Sequence, residues 1–234
     1  MKPLSDCRLY TFVDTAYLHG RSAVAAARQL CEGGSDLIQL RAKDLAVNDI
    51  LRLGREILPV VHSFDVGLVI NDHWDVAREL GADLCHLGQE DFFDRPNSFQ
   101  RGNGDPRLGL STHAPDQAAR ALAASPAYIA IGPVHATPTK PSARPVTLDY
   151  VRWAAQHIEI PWFAIGGIHL ENLKDVLDAG ATRICVVSAI LNAPDIAAMC
   201  RKFKDALIHL HGLDSRRADG GGRGGGPSFG EFQV

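Results

Sequence analysis

Short apolar runs alternate with amphipathic stretches along this chain from residue 8 to residue 211. The short runs are rich in branched and aromatic side chains and predict strands. They cover 8–13, 36–41, 67–70, 83–87, 107–110, 128–131, 161–165 and 183–187. Between them, apolar residues recur at helical spacing over 21–32, 47–62, 74–80, 115–124, 147–157, 170–179 and 193–211. Gly33-Gly34, Gly81 and Gly180 stand where three of these helices must stop, and Pro115 stands where one can start. The interval 92–106 breaks the rhythm and predicts a short helix followed by a turn.

Eight strands alternating with helices predict a single α/β domain, a (β/α)8 TIM barrel over residues 1–213. An open doubly wound sheet has no reason to stop at eight units, and no G-x-G-x-x-G follows the first strand. The pattern collapses after Leu213. Residues 214–234 hold a Gly-Gly-Gly-Arg-Gly-Gly-Gly tract and few apolar side chains, which predicts a disordered Gly-rich tail.

Composition narrows the function. Hydrophobic residues at 46%, charged residues at 22% and a net charge of -3 describe a soluble protein and argue against nucleic acid or an anionic membrane as partner. Five scattered cysteines without a C-x-x-C predict reduced thiols and a cytoplasmic location. Neither a signal-peptide core nor a membrane-length apolar run is present, and the histidines lack zinc-ligand spacing. Self-association into a homo-oligomer stays open.

In a barrel the chemistry sits at the C-terminal ends of the strands. The second strand ends on Gln39, Arg41 and Lys43, whose spacing of two puts all three on one side of an extended chain. The third gives Asn71-Asp72, the fourth His86 and Gln89-Glu90-Asp91, and the fifth Ser111-Thr112-His113. The sixth opens into Gly132-Pro-Val-His-Ala-Thr-Pro-Thr-Lys140. Its Thr137, Thr139 and Lys140 suit a phosphate, and equally suit a solvated loop. Gly166-Gly167 and Val187-Ser188-Ala189 close the seventh and eighth strands, where barrels bind phosphate through backbone amides, or where a tight turn simply requires glycine. Arg41, Lys43, Asn71, Ser111 and Lys140 together suit a diphosphate. Asp72 and Asp91 beside them suit Mg²⁺, a hard cation that takes carboxylates together with phosphate oxygens. Capping of the following helices is the alternative role for both aspartates. His86 reads as an inward, hydrogen-bonded core residue, and His113 and His135 as mouth residues without a role. Two phosphorylated ligands, one a diphosphate, meeting at one mouth fit a transfer with diphosphate as leaving group.

Gln-Leu-Arg-Ala-Lys43, Ile-Asn-Asp72, His-Leu-Gly-Gln-Glu-Asp91, Ser-Thr-His113, the 132–140 stretch, Ala-Ile-Gly-Gly-Ile168 and Val-Val-Ser188 closely resemble, in order, the motifs of the thiamine phosphate synthase family. The resemblance covers about residues 8–200. It implies a transferase of thiamine biosynthesis that joins hydroxymethylpyrimidine diphosphate to hydroxyethylthiazole phosphate by a dissociative route. It also implies that Arg41, Lys43, Asn71, Ser111 and Lys140 hold the diphosphate and that Gln39 lies near the pyrimidine. Asp72 and Asp91 would bind Mg²⁺, and Thr137, Thr139, Gly167, Val187 and Ser188 would hold the thiazole phosphate. The chain departs from the family pattern at His73, where arginine is usual, at His135-Ala136, where a bulky residue and proline are frequent, and at Ser142, where glycine is common. A thiazole tautomerase-like isomerase and a non-catalytic phosphate-binding barrel are the rival functions.

Overall fold

A computed structural model describes residues 1–94, 102–137, 139 and 144–218, with side chains as far as residue 209. Eight parallel strands close into a barrel in chain order: β1 Leu9–Asp14, β2 Leu37–Arg41, β3 Gly67–Asn71, β4 Leu84–Leu87, β5 Arg107–Thr112, β6 Tyr128–Ile131, β7 Trp162–Ile165 and β8 Ile184–Val186. The circle closes where β1 pairs with β8, Leu9 opposite Ile184. Helices α1 Ala23–Glu32, α2 Val47–His62, α3 Trp74–Leu80, α4 Gln89–Phe93, α5 Pro115–Ala123, α6 Thr147–His157, α7 Leu170–Asp178, α8 Ser188–Leu191 and α9 Ile196–Ala218 connect and surround the strands.

Strand alternation sorts the apolar side chains into two groups. Leu9, Val13, Ile38, Leu40, Leu68 and Ile70 face the helices in one large cluster. Tyr10, Phe12, Leu37, Val69, Tyr128 and Phe163 fill the barrel interior in a second. The parity that points Leu37 and Val69 inward also carries Gln39 and Asn71 inward one step nearer the C-terminal end, and Arg41 two steps nearer. The other end is stopped from below. Leu4 and Cys7, from the segment preceding β1, are buried in the interior cluster, and Met1 packs against it.

Three boundaries differ from the sequence expectation by three residues or more. The helix after β4 begins at Gln89 rather than within 92–106, so Asp91 lies in its first turn. The stretch expected as one helix over 193–211 starts later, at Ile196, and a separate short helix, α8, precedes it. Pro194 interrupts the run, and the Asp195 side chain accepts the Ala198 N–H at 2.8 Å to start α9. Helix α9 then continues to Ala218, past its expected end at His211, because Asp214-Ser-Arg-Arg-Ala218 contains no glycine or proline to stop it. The remaining tail, 219–234, lies outside the described residues.

Candidate active site

The inward side chains at the strand ends meet over one mouth. Gln39 is 2% exposed, and its Nε2 donates to the Tyr10 hydroxyl at 2.5 Å. Arg41 sits one inward step higher, where its Nη1 donates to Asp14 Oδ2 at 2.7 Å. Asp14 is 1% exposed and stands directly opposite Arg41 in the β1–β2 register. A buried carboxylate therefore holds the guanidinium in place. Lys43 reaches past the strand to within 3.3 Å of Asp72 Oδ2, and Asn71 Nδ2 donates to the same oxygen at 2.7 Å.

Asp72 has a left-handed backbone, φ +64, which few residues other than glycine adopt without cost. Its N–H donates to the His86 carbonyl at 2.9 Å, which pins the turn and aims the carboxylate. Neither aspartate is the N-cap residue of the helix that follows it. The N-cap residues of α3 and α4 are His73 and Gly88, and neither helix has a side-chain cap. Asp91 Oδ2 lies 3.0 Å from where a β-carbon on Gly88 would stand, so glycine leaves that carboxylate its room.

The donor set fits a hard cation. Asp72 and Asp91 follow adjacent strands, β3 and β4, and Lys43 and Asn71 both approach Asp72 Oδ2. No group of three or more His, Cys, Asp or Glu able to hold a metal occurs among the described residues. A cation here would complete its sphere with substrate and water oxygens, the usual habit of Mg²⁺.

Beside this charged group lies a cavity of about 740 Å³. Ser111, Thr137, Thr139, Gly167, Val187 and Ser188 all line it, with Ala130, Ile165 and Cys185 of the barrel interior also on its wall. Thr139 Oγ1 is 3.1 Å from the Tyr17 hydroxyl, and the Thr139 N–H donates to Thr137 Oγ1 at 3.3 Å. The amides of Ser188 and Ala189 precede the first intrahelical bond of α8, from the Ile190 N–H to Val187 O at 3.2 Å, and so have no partner within that helix.

Gly166 and Gly167 have structural reasons of their own. Their φ values are +106 and +61, and a β-carbon would lie 2.4 Å from Pro133 Cβ at the first and 2.6 Å from Ala136 O at the second. The turn requires glycine, and that same requirement brings bare backbone to the cavity wall. Lys140, Pro138, Pro141 and Ser142 fall outside the described residues.

Sequence reading missed several participants. Asp14 and Tyr10 look like strand-core residues in sequence, and so does Tyr128, whose hydroxyl lies 2.9 Å from Tyr10 Oη and 2.9 Å from His86 Nδ1. Gln89 Nε2 donates to the Ser111 carbonyl at 2.7 Å while its Oε1 is buried without a hydrogen-bond partner among the described residues, as is His135 Nε2 on the cavity wall. Such atoms call for a ligand or water. His86 is inward and hydrogen-bonded, and His113 and His135 line the cavity. Burial pushes the Cys185 thiol far up, so this cysteine offers no thiolate at the mouth.

The family described as thiamine monophosphate synthase matches residues 9–190. The thiamine-phosphate synthase of Thermus thermophilus is 47% identical over 177 residues, covering 75% of this chain and 84% of that protein. The thiamine-phosphate synthase of Halalkalibacterium halodurans is 39% identical over 215 residues, covering 91% of this chain and all of that protein. Among solved structures, the thiamine phosphate pyrophosphorylase of Pyrococcus furiosus superposes with a TM-score of 0.77 at 24% identity, over 89% of this chain and 98% of that one, a likeness of fold.

Proposed function

The chain belongs to the thiamine monophosphate synthase family, and from that membership we propose that it joins hydroxymethylpyrimidine diphosphate to hydroxyethylthiazole phosphate, forming thiamine phosphate and diphosphate. The observation that carries this reading is the division of one mouth into two parts. Arg41, Lys43, Asn71, Asp72 and Asp91 gather on β2–β4 and α4, while the cavity bordered by Thr137, Thr139, Gly167, Val187 and Ser188 opens beside β6–β8. An isomerase of one thiazole substrate has no use for the first part.

In this reading Gln39 meets the pyrimidine, and Arg41, Lys43, Asn71, Ser111 and Lys140 hold the diphosphate. The methylene C–O bond breaks first, and its electron pair leaves on the diphosphate oxygen. The thiazole nitrogen then gives its lone pair to the pyrimidine methylene cation, forming the C–N bond and leaving the charge on the thiazolium. The site supports this route by offering anion donors and no thiolate nucleophile. Mg²⁺ held by Asp72 and Asp91 would supply further positive charge beside the departing diphosphate. Ser111 and Lys140 act at the leaving group, where negative charge grows, and so contribute more in the transition state than in the ground state. The five cysteines are buried and free, which supports a reducing compartment such as the cytoplasm. No helix among the described residues is long and apolar enough to cross a membrane.

The purified full chain, given both substrates and Mg²⁺, should form thiamine phosphate and diphosphate in equal amounts. Absence of both products would overturn the reading, and full turnover in excess chelator would remove Mg²⁺ from it. Lys140→Ala should lower kcat and kcat/KM together by about 10²–10³-fold, the signature of a lost transition-state contact.

A further inference from the structure

Five polar side chains form one continuous hydrogen-bonded line through the barrel interior. Gln39 Nε2 is 2.5 Å from Tyr10 Oη, which is 2.9 Å from Tyr128 Oη. Tyr128 Oη is 2.9 Å from His86 Nδ1, and His86 Nε2 is 2.8 Å from Ser111 Oγ. The line begins beside β1 and ends on the cavity wall, where Ser111 is a lining residue. Both tyrosines are fully buried, and the ring of Tyr128 occupies space left by Gly109.

The line has a direction. Gln39 Nε2 can only donate, so the Tyr10 oxygen accepts from it. The Tyr10 proton then has the Tyr128 oxygen as its acceptor. The Tyr128 proton in turn goes to His86 Nδ1. An imidazole that accepts on Nδ1 carries its proton on Nε2 and donates it to Ser111 Oγ. With its oxygen occupied as an acceptor from inside, Ser111 points its own proton outward. In the opposite sense Tyr10 would receive two donors and its own proton would lack an acceptor. Burial holds both phenols well above their ordinary pKa, so each keeps the proton that the line requires. An anion at the mouth favours the same sense, because it accepts hydrogen bonds and cannot donate them.

We infer that Tyr10, Tyr128 and His86 are positioning residues that fix Ser111 as a hydrogen-bond donor to the phosphoryl oxygens of the ligand at the barrel mouth. Ser111 touches the ligand; the other three act through it. The inference rests on the reading of Ser111 as a donor to the departing diphosphate.

The decisive variant is Tyr128→Phe, which removes the donor to His86 Nδ1 and little volume. A neutral His86 can then move its proton to Nδ1 and accept from Ser111, turning the hydroxyl away from the ligand. The variant should therefore lose about tenfold in kcat at pH 8, the worth of one oriented hydrogen bond. The ¹⁵N shifts of its His86 imidazole should place the proton on Nδ1, where the parent carries it on Nε2. The KM for the thiazole phosphate should not move.

Ser111→Ala should lower kcat on its own, and Ser111→Ala with Tyr128→Phe should be no slower than Ser111→Ala. If Ser111→Ala leaves kcat intact, the reading of Ser111 at the leaving group fails. If Ser111→Ala is slow while Tyr128→Phe matches the parent, or is slow with the His86 proton still on Nε2, the relay fails and that reading stands. Should Tyr128→Phe not fold, the ¹⁵N shifts of the His86 imidazole in the unaltered chain decide the matter. A proton on Nε2 is expected, and a proton on Nδ1 overturns the relay.

Discussion

At position 109 a β-carbon would lie 2.2 Å from Tyr128 Cζ and 2.5 Å from its hydroxyl oxygen. The smallest residue is required there by a neighbouring ring, since the backbone of Gly109 is that of an ordinary strand. Gly109→Ala should therefore cost about 2 kcal/mol of stability through overpacking, read as a lower denaturant midpoint at an unchanged slope. An unshifted midpoint would mean that Tyr128 can move aside without loss. Ser188 tests the other side of the mouth. It lines the cavity at the start of α8, facing in our reading a phosphate that takes no part in bond breaking. Ser188→Glu should raise the KM for the thiazole phosphate about tenfold or more through like-charge repulsion and leave kcat within about twofold. A fall in kcat at unchanged KM would place Ser188 at the reacting centre instead.

Strand β2 shows what a single element discloses about the site. The two-residue spacing of Gln39 and Arg41 puts both on one side, because alternation is a local property of an extended chain, whereas Lys43 lies in the turn beyond the strand end. Their partners were not legible. Asp14 meets Arg41 through the register between β1 and β2, and Tyr128 reaches His86 from two strands away, relations that no local pattern encodes. The helical phase was legible for α2, α3 and α6, whose limits are those expected. It failed after β8, where Pro194 divides an apolar run that continues across it. The last helix also supports a prediction. Cys200, Phe203 and Leu207 of α9 are fully buried, and the Gly33 backbone packs so closely that a β-carbon there would lie 2.4 Å from Cys200 Cβ. These anchors all precede residue 208. Removing residues 214–234 should shift Tm by less than about 3 °C, whereas Phe203→Ala should cost about 3–5 kcal/mol. A larger shift on truncation would show that the segment beyond 213 contributes packing of its own.

Across the whole molecule, Asp36 ties together parts of the chain that are far apart in sequence. Its carboxylate accepts the N–H groups of Arg8 and Leu9 at 2.7 and 2.9 Å, pairs with Lys204 of α9 at 2.6 Å, and contacts Lys2. Burial alone would push this carboxyl up, but the Leu9 amide, Lys2 and Lys204 more than offset it and hold the group below its ordinary 3.8. A depressed folded pKa gives stability that is complete above the unfolded value and lost as pH falls through the lower folded one. Unfolding free energy should thus decline below about pH 4. Asp36→Asn should flatten that decline and cost roughly 3 kcal/mol at neutral pH by stranding Lys204. An unaltered acid limb in the variant would count against this assignment. The same end of the barrel settles a matter of traffic. Met1, Leu4 and Cys7 are seated in its base, so among the described residues that end is shut. In the proposed reaction both reactants would arrive, and the finished molecule would depart, at the opposite end, where the cavity lined by Ser111 and Ser188 lies. A departing product therefore stands in the path of each incoming reactant, and its accumulation should throttle the arrival of both.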